Sequence, residues 1–159
     1  ENGKGSLENI LTNATADTFF EAGNHTVFLK YWGDAYYDEV NTTVTLNITK
    51  AQSNLTVSID DMGYNLYMNF TIFDDWDDKA YWDANGTATV DFYSEGDLTD
   101  VVRSVNVKVV NGYANVVVRD LLPRNYTIIT TYHDDNNYNS SVNITNYTLN
   151  QKEFAAVFI

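Results

Sequence analysis

Apolar and polar residues alternate one by one along most of this chain. Runs 54–60, 65–73, 87–93, 104–110, 113–118, 125–132 and 140–149 all carry this two-residue period. Successive side chains on a strand point to opposite faces, so the period predicts half-buried β-strands. Val, Ile, Thr, Tyr and Phe dominate the runs, the residues that pack best on a pleated surface. Turn-forming residues separate them: Asp61-Met62-Gly63, Asn85-Gly86, Glu95-Gly96-Asp97 and Asn111-Gly112. No helical stripe is longer than about two turns, too short for a stable helix. Leu7–Phe20 alone is ambiguous.

Seven short strands in about 100 residues predict an all-β fold, a Greek-key immunoglobulin-like β-sandwich. N-x-[ST] triplets, the acceptor motif for N-glycosylation, begin at Asn13, Asn24, Asn41, Asn47, Asn54, Asn69, Asn85, Asn125, Asn139, Asn143 and Asn146. Chance placement of this chain's asparagines and hydroxyl residues gives roughly three such triplets. On a strand, residues i and i+2 share a face, so N-x-T turns Asn and Thr outward and x inward. The middle residues Ile48, Leu55, Phe70, Tyr126, Ile144 and Tyr147 are apolar or aromatic, as a core face requires. Asn143 and Asn146 cannot both point outward on a regular strand, which predicts a β-bulge near Thr145–Asn146. Strands rich in outward Asn and Thr produce some triplets with no sugar on them. Glycosylation at several sites requires an exported, extracellular or cell-surface protein.

A repeat is visible. Asn24, Thr26, Tyr31, Asp34 and Tyr37 match Asn125, Thr127, Tyr132, Asp135 and Tyr138 at a constant offset of 101 residues. Beyond them, the triplet at Asn41 aligns with that at Asn143 after a one-residue slip. His25, Val27, Leu29 and Tyr31 form the inward set of one copy, and Tyr126, Ile128, Thr130 and Tyr132 that of the other. Asn2-Gly3 corresponds to Asn111-Gly112, and the segment 50–59 is echoed by 150–159. The expected organisation is tandem repeats, one complete and flanked by partial copies. Residues 1–50 hold the closing strands of a first repeat, 51–149 a complete repeat, and 150–159 the first strand of a following repeat or a donor strand.

The run Leu122-Pro123-Arg124-Asn125-Tyr126-Thr127, continuing through Tyr132-His133-Asp134-Asp135-Asn136-Asn137-Tyr138-Asn139, resembles the closing half of bacterial-type immunoglobulin-like repeats of methanogen adhesin-like surface proteins. There a G-x-Y-x-V strand leads to a tyrosine, an acidic turn and N-Y-N. The resemblance covers most of 54–149 and, more weakly, 22–50. It implies an archaeal cell-surface stalk of stacked repeats. The chain departs from the pattern in a longer, more aromatic loop at 74–85 and an eight-residue insertion around Thr12–Phe20.

Charge narrows the partners. A formal net charge of −13 repels phosphate backbones and anionic membrane surfaces, so nucleic acid is not expected as a partner. No apolar run approaches the ~20 residues that span a bilayer, so no membrane insertion is expected in this segment. Without cysteine, neither a disulfide nor a thiolate metal site can form.

Candidate chemistry concentrates in two acidic loops. One holds Asp74, Asp75, Asp77, Asp78 and Asp83; the other holds Asp134 and Asp135. In an immunoglobulin-like topology these B–C and F–G loops share one end, near Lys50–Asn54. Converging carboxylates suit Ca²⁺, which takes six to eight oxygens, so Asp74, Asp75, Asp77, Asp134 and Asp135 are candidate ligands. A solvated acidic surface that keeps the protein soluble is the alternative reading, and the favoured one. Trp76, Tyr81 and Trp82 in the first loop have the chemistry to stack on a sugar, and packing down as a lid on the sandwich end or against a neighbouring repeat is the reading large aromatics favour; Trp32, at an outward strand end, is a candidate inter-repeat contact. Tyr126 is expected to form a corner whose hydroxyl bonds nearby backbone, and His25 stands in its place in the first copy. His133 has no evident partners. No catalytic constellation is legible: there is no nucleophile elbow, phosphate loop or H-E-x-x-H, so no enzyme activity and no cofactor beyond Ca²⁺ are expected.

Three functions remain in view. The first is a structural and adhesive surface repeat whose partners are neighbouring repeats, covalent N-glycans and a host or partner-cell surface. The second is a filament subunit joined to like subunits by strand complementation. The third is a calcium- or carbohydrate-binding module.

Overall fold

A computed structural model describes residues 21–63, 65–73 and 83–151; Asn13, the 74–82 loop and residues 152–159 lie outside them. The chain divides into two compact units, Glu1–Lys50 and Ala51–Ile159. The described secondary structure is all β and its sheets are antiparallel.

In the first unit, β1 (Gly23–Tyr31) pairs with β2 (Val40–Ile48) as a two-stranded sheet. The second unit contains β3 (Asn54–Asp61), β4 (Leu66–Phe73), β5 (Gly86–Ser94), β6 (Val101–Val109), β7 (Tyr113–Val118), β8 (Arg124–Tyr132) and β9 (Ser141–Leu149). They form a three-stranded sheet, β3-β4-β7, and a four-stranded sheet, β6-β5-β8-β9. Both contribute to one core, so the second unit is β-sandwich-like. The expected strands at 54–60, 65–73, 87–93, 113–118, 125–132 and 140–149 all form, with ends within a residue of the expectation.

The alternation accounts for the core. Leu66, Met68, Phe70 and Ile72 of β4 are buried, while the residues between them are half-buried. Ala88, Val90 and Phe92 of β5 and Tyr126, Ile128 and Tyr132 of β8 close the opposite side. Each large apolar side chain fully withdrawn from water contributes roughly 1.5–3 kcal/mol. Phe92 meets Tyr126 edge to face, ring centroids 5.8 Å apart. The expected corner forms: the Tyr126 hydroxyl donates to the Leu122 carbonyl at 2.7 Å, so a buried phenol keeps a partner. At Asn111-Gly112 the backbone φ values are 52° and 77°. Val110 and Tyr113 exchange backbone hydrogen bonds of 2.9 and 3.0 Å around this tight turn, which carries the chain from one sheet to the other.

Three expectations fail, all at β9 and its counterpart. Ile144 does not face the core but is 65% exposed. No bulge forms at Thr145–Asn146, because β8 and β9 pair without a break from Tyr132↔Ser141 to Arg124↔Leu149. Leu149 is buried and Tyr147 packs against the core, so the odd-numbered residues of β9 turn inward. That parity sends Ile144 outward and Asn143 inward. The irregular register lies instead at Phe92/Tyr93, between β5 and β6. Nor is there a slip between the repeated hairpins. Tyr31 pairs with Val40 and Tyr132 with Ser141, so the offset is 101 on both strands, and Asn41 corresponds to Val142.

Candidate functional site

The two hairpins end in the same turn. Asp34 accepts the Tyr31 hydroxyl at 2.7 Å and the backbone amides of Tyr36 and Tyr37 at 2.8 and 3.0 Å. Asp135 accepts the Tyr132 hydroxyl at 2.5 Å and the amides of Asn137 and Tyr138 at 2.8 and 2.7 Å. In each turn the aspartate amide also donates to the carbonyl of the second tyrosine, Asp34 to Tyr37 at 2.9 Å and Asp135 to Tyr138 at 3.1 Å. A short acceptor side chain thus fixes two backbone donors that the strands leave unpaired. The first-copy corner is also reproduced. His25 Nε2 lies 2.6 Å from the Glu21 carbonyl, the same four-residue reach that Tyr126 makes to Leu122. The carbonyl only accepts, so Nε2 carries the proton of this bond.

In the second unit the turn gathers further groups. The Tyr138 hydroxyl donates to Asp83, and the Asn137 side-chain Nδ2 donates to the same carboxylate at 3.3 Å. The Asn85 backbone amide adds a fourth bond to Asp135 at 3.0 Å. The incoming chain docks here as well. Ala51 bridges Tyr138 in parallel fashion, donating to Asn137 at 2.8 Å and accepting from Asn139 at 2.9 Å. Ser53 Oγ donates to the Asn139 carbonyl at 2.7 Å and sits 3.0 Å from Ser141 Oγ. A Cβ on Gly86 would meet the Tyr132 ring at 3.4 Å, so a glycine there lets the ring lie against β5.

Burial pushes the Tyr132 phenol far above its ordinary range, and the Asp135 hydrogen bond and the charges of Asp135, Asp83 and Asp134 add to the effect. Burial likewise raises Tyr126, opposed by the Arg124 charge. In the exposed turn, the hydrogen bond that Tyr31 donates to Asp34 raises Tyr31, and the same bond, with those from the Tyr36 and Tyr37 amides, holds Asp34 below the usual carboxylate range.

Of the candidate calcium ligands, Asp74, Asp75 and Asp77 lie outside the described residues, as do Trp76, Tyr81 and Trp82. Asp83, just after the 74–82 segment, meets the turn between β8 and β9. Asp135 accepts three backbone amides and the Tyr132 phenol. Among the described residues no cluster of three or more His, Cys, Asp or Glu is disposed to hold a metal. Trp32, one residue past β1, is 77% exposed, and Lys30 Nζ lies 4.0 Å from its ring centre. Lys30 also pairs with Glu39 at 3.0 Å. His133, without evident partners in sequence, stands 2.7 Å from Thr89 Oγ1 on the outer face of the four-stranded sheet.

The asparagines of the N-x-[ST] triplets occupy two kinds of place. Asn24, Asn41, Asn47, Asn85, Asn125 and Asn146 are exposed; Asn54, Asn69, Asn139 and Asn143 are half-buried. Asn143 differs in its contacts. It lies on the inward face of β9, and its Nδ2 donates to the Leu55 carbonyl at 3.3 Å. A sugar on that nitrogen would have to give up this bond and share space with β3. Sequence reasoning gave no role to the Tyr-x-x-Asp-x-x-Tyr spacing of the turns. The signal was present, since all three residues match across the repeat. Compared with known protein families and with curated protein sequences, the chain finds no match.

Proposed function

We propose that this chain is a segment of a repetitive, N-glycosylated cell-surface protein whose sandwiches extend and present an adhesive structure. The observation that carries the reading is the repeated hairpin: one register, one aspartate-centred turn and one ring-to-carbonyl corner, displaced by 101 residues. Repetition at the length of a domain is the mark of a modular array. The strand orders β3-β4-β7 and β6-β5-β8-β9 support an immunoglobulin-like Greek key, with β3 to β9 taking the places of strands A, B, C, C′, E, F and G. The corner of Tyr126 at the start of the F-like strand agrees with it. Six exposed acceptor asparagines support export and glycosylation, and sugars there would shield strand edges from sideways pairing.

The intact mass of native material, followed by site mapping after enzymatic release, tests the reading. The expected result is sugar on several of Asn24, Asn41, Asn47, Asn85, Asn125 and Asn146, and none on Asn143. A mass equal to the bare polypeptide would overturn the glycoprotein reading. Removal of the sugars is expected to leave the fold intact and to raise aggregation or proteolysis.

A further inference from the structure

The geometry points to β1 as a docking edge for a strand of the same kind as β5. In the second unit β8 is paired on both sides, with β9 along one edge and β5 along the other, from Ala88↔Tyr132 to Ser94↔Tyr126. In the first unit β1 pairs with β2 alone among the described residues. Among the described residues the counterpart of the β5–β8 ladder is open, a row of backbone donors and acceptors that can receive another strand.

The face beside that edge carries the side chains of a sandwich interior. Val27, Leu29 and Tyr31 of β1 and Val40, Val44, Leu46 and Ile48 of β2 all lie on it, at positions set by the 101-residue offset. Leu29, Tyr31 and Val44 are 41–43% exposed and Val40 is 60% exposed. Their counterparts Thr130 and Tyr132 in β8 are at most 1% exposed, because β5 and the three-stranded sheet cover them. The opposite face of the hairpin holds the exposed polar residues Asn24, Thr26, Asn41, Thr43, Thr45 and Asn47.

The molecule itself defines the occupant. It is an antiparallel strand from a like repeat, with glycine opposite the ring of Tyr31, as Gly86 lies against Tyr132, followed by small and then larger apolar residues at alternate positions. An acidic residue ahead of that glycine, where Asp83 stands, would take the Tyr37 hydroxyl as Asp83 takes Tyr138. Tyr37 is 71% exposed in this chain, against 6% for Tyr138. The inference rests on the repeat in the proposed function and is independent of its sugars.

The test is a chain in which a copy of residues 51–123 is joined directly ahead of Gly23, the spacing that β8 has from its own partners. Amide hydrogen exchange is compared with the unaltered 159-residue chain. The expected result is exchange over Gly23–Tyr31 slowed at least roughly tenfold, with Tyr31 and Tyr37 withdrawn from solvent. If the tyrosines become shielded while the β1 amides exchange as before, the face is covered without strand pairing and the proposal fails. Unchanged exchange and unchanged tyrosines overturn it as well. An unglycosylated native mass would remove the glycoprotein reading and leave this result standing, so the two failures are distinguishable.

Discussion

The hairpins β1–β2 and β8–β9 share register, turn and corner, yet one exposes what the other buries. Tyr132 is fully buried and Tyr31 is 43% exposed, although each donates its hydroxyl to an aspartate three residues on. The difference teaches where the energy of such an element lies. Local chemistry writes the hairpin, and a covering sheet makes it part of a core. A two-stranded sheet alone is marginal in water, and apolar burial against further strands supplies most of its stability.

The largest break in the comparison is expected from core truncation. Ile128→Ala should destabilise the second unit by about 2–5 kcal/mol in chemical denaturation. Val27→Ala, its counterpart in β1, should leave that transition within about 0.5 kcal/mol of the parent. Equal shifts would mean that the two hairpins are equally buried in solution.

Next comes the turn. Asp135→Ala leaves the buried Tyr132 hydroxyl without its acceptor and should cost about 1–3 kcal/mol. Asp34→Ala should not move the unfolding of the second unit, and should quicken amide exchange only at Tyr36 and Tyr37. Tyr126→Phe removes one hydrogen bond and should cost about 1 kcal/mol, read in the same denaturation experiment.

Tyr132 and Asp34 give pH dependences of opposite sign. Tyr132 has a raised pKa, so its neutral form belongs to the fold. The stability it contributes is complete below the ordinary phenol pKa and is lost as pH rises above it. Alkaline unfolding of the second unit should therefore move to higher pH in Tyr132→Phe, provided the packing is retained. Asp34 has a lowered pKa, so its contribution is present above the ordinary carboxylate range and is lost as pH falls through the lowered value. An NMR titration should show Asp34 protonating below an unpaired aspartate; a midpoint at or above the ordinary value would refute the turn geometry. This last effect is the smallest, since the turn is open to water and screened.

Most of the ladder was legible in sequence because strand formation is local. The period of two, the β-branched and aromatic content and turns such as Asn111-Gly112 gave the strands of the second unit to within a few residues. Tyr126 was legible for the same reason, as a polar-tipped ring at a fixed place in a repeat. The link from Asp83 to Tyr138 was not, because it joins residues 55 apart and depends on two loops sharing an end. Ile144 shows the limit most sharply. Its triplet looks like those at Asn47 and Asn146, but Asn143 and Asn146 are three apart, so the two triplets fall in opposite phase on one unbroken strand.

Sequence alone thus determined most of the strand tracts, where they turn, and that the residues of one strand and its turn recur at an offset of 101, since backbone sterics and side-chain period act between near neighbours. Which phase of β9 faces inward, and whether a given apolar face ends up dry or wet, only the tertiary structure decided. Burial is a property of what lies opposite, and for β8 and β9 that is a second sheet brought back from far along the chain.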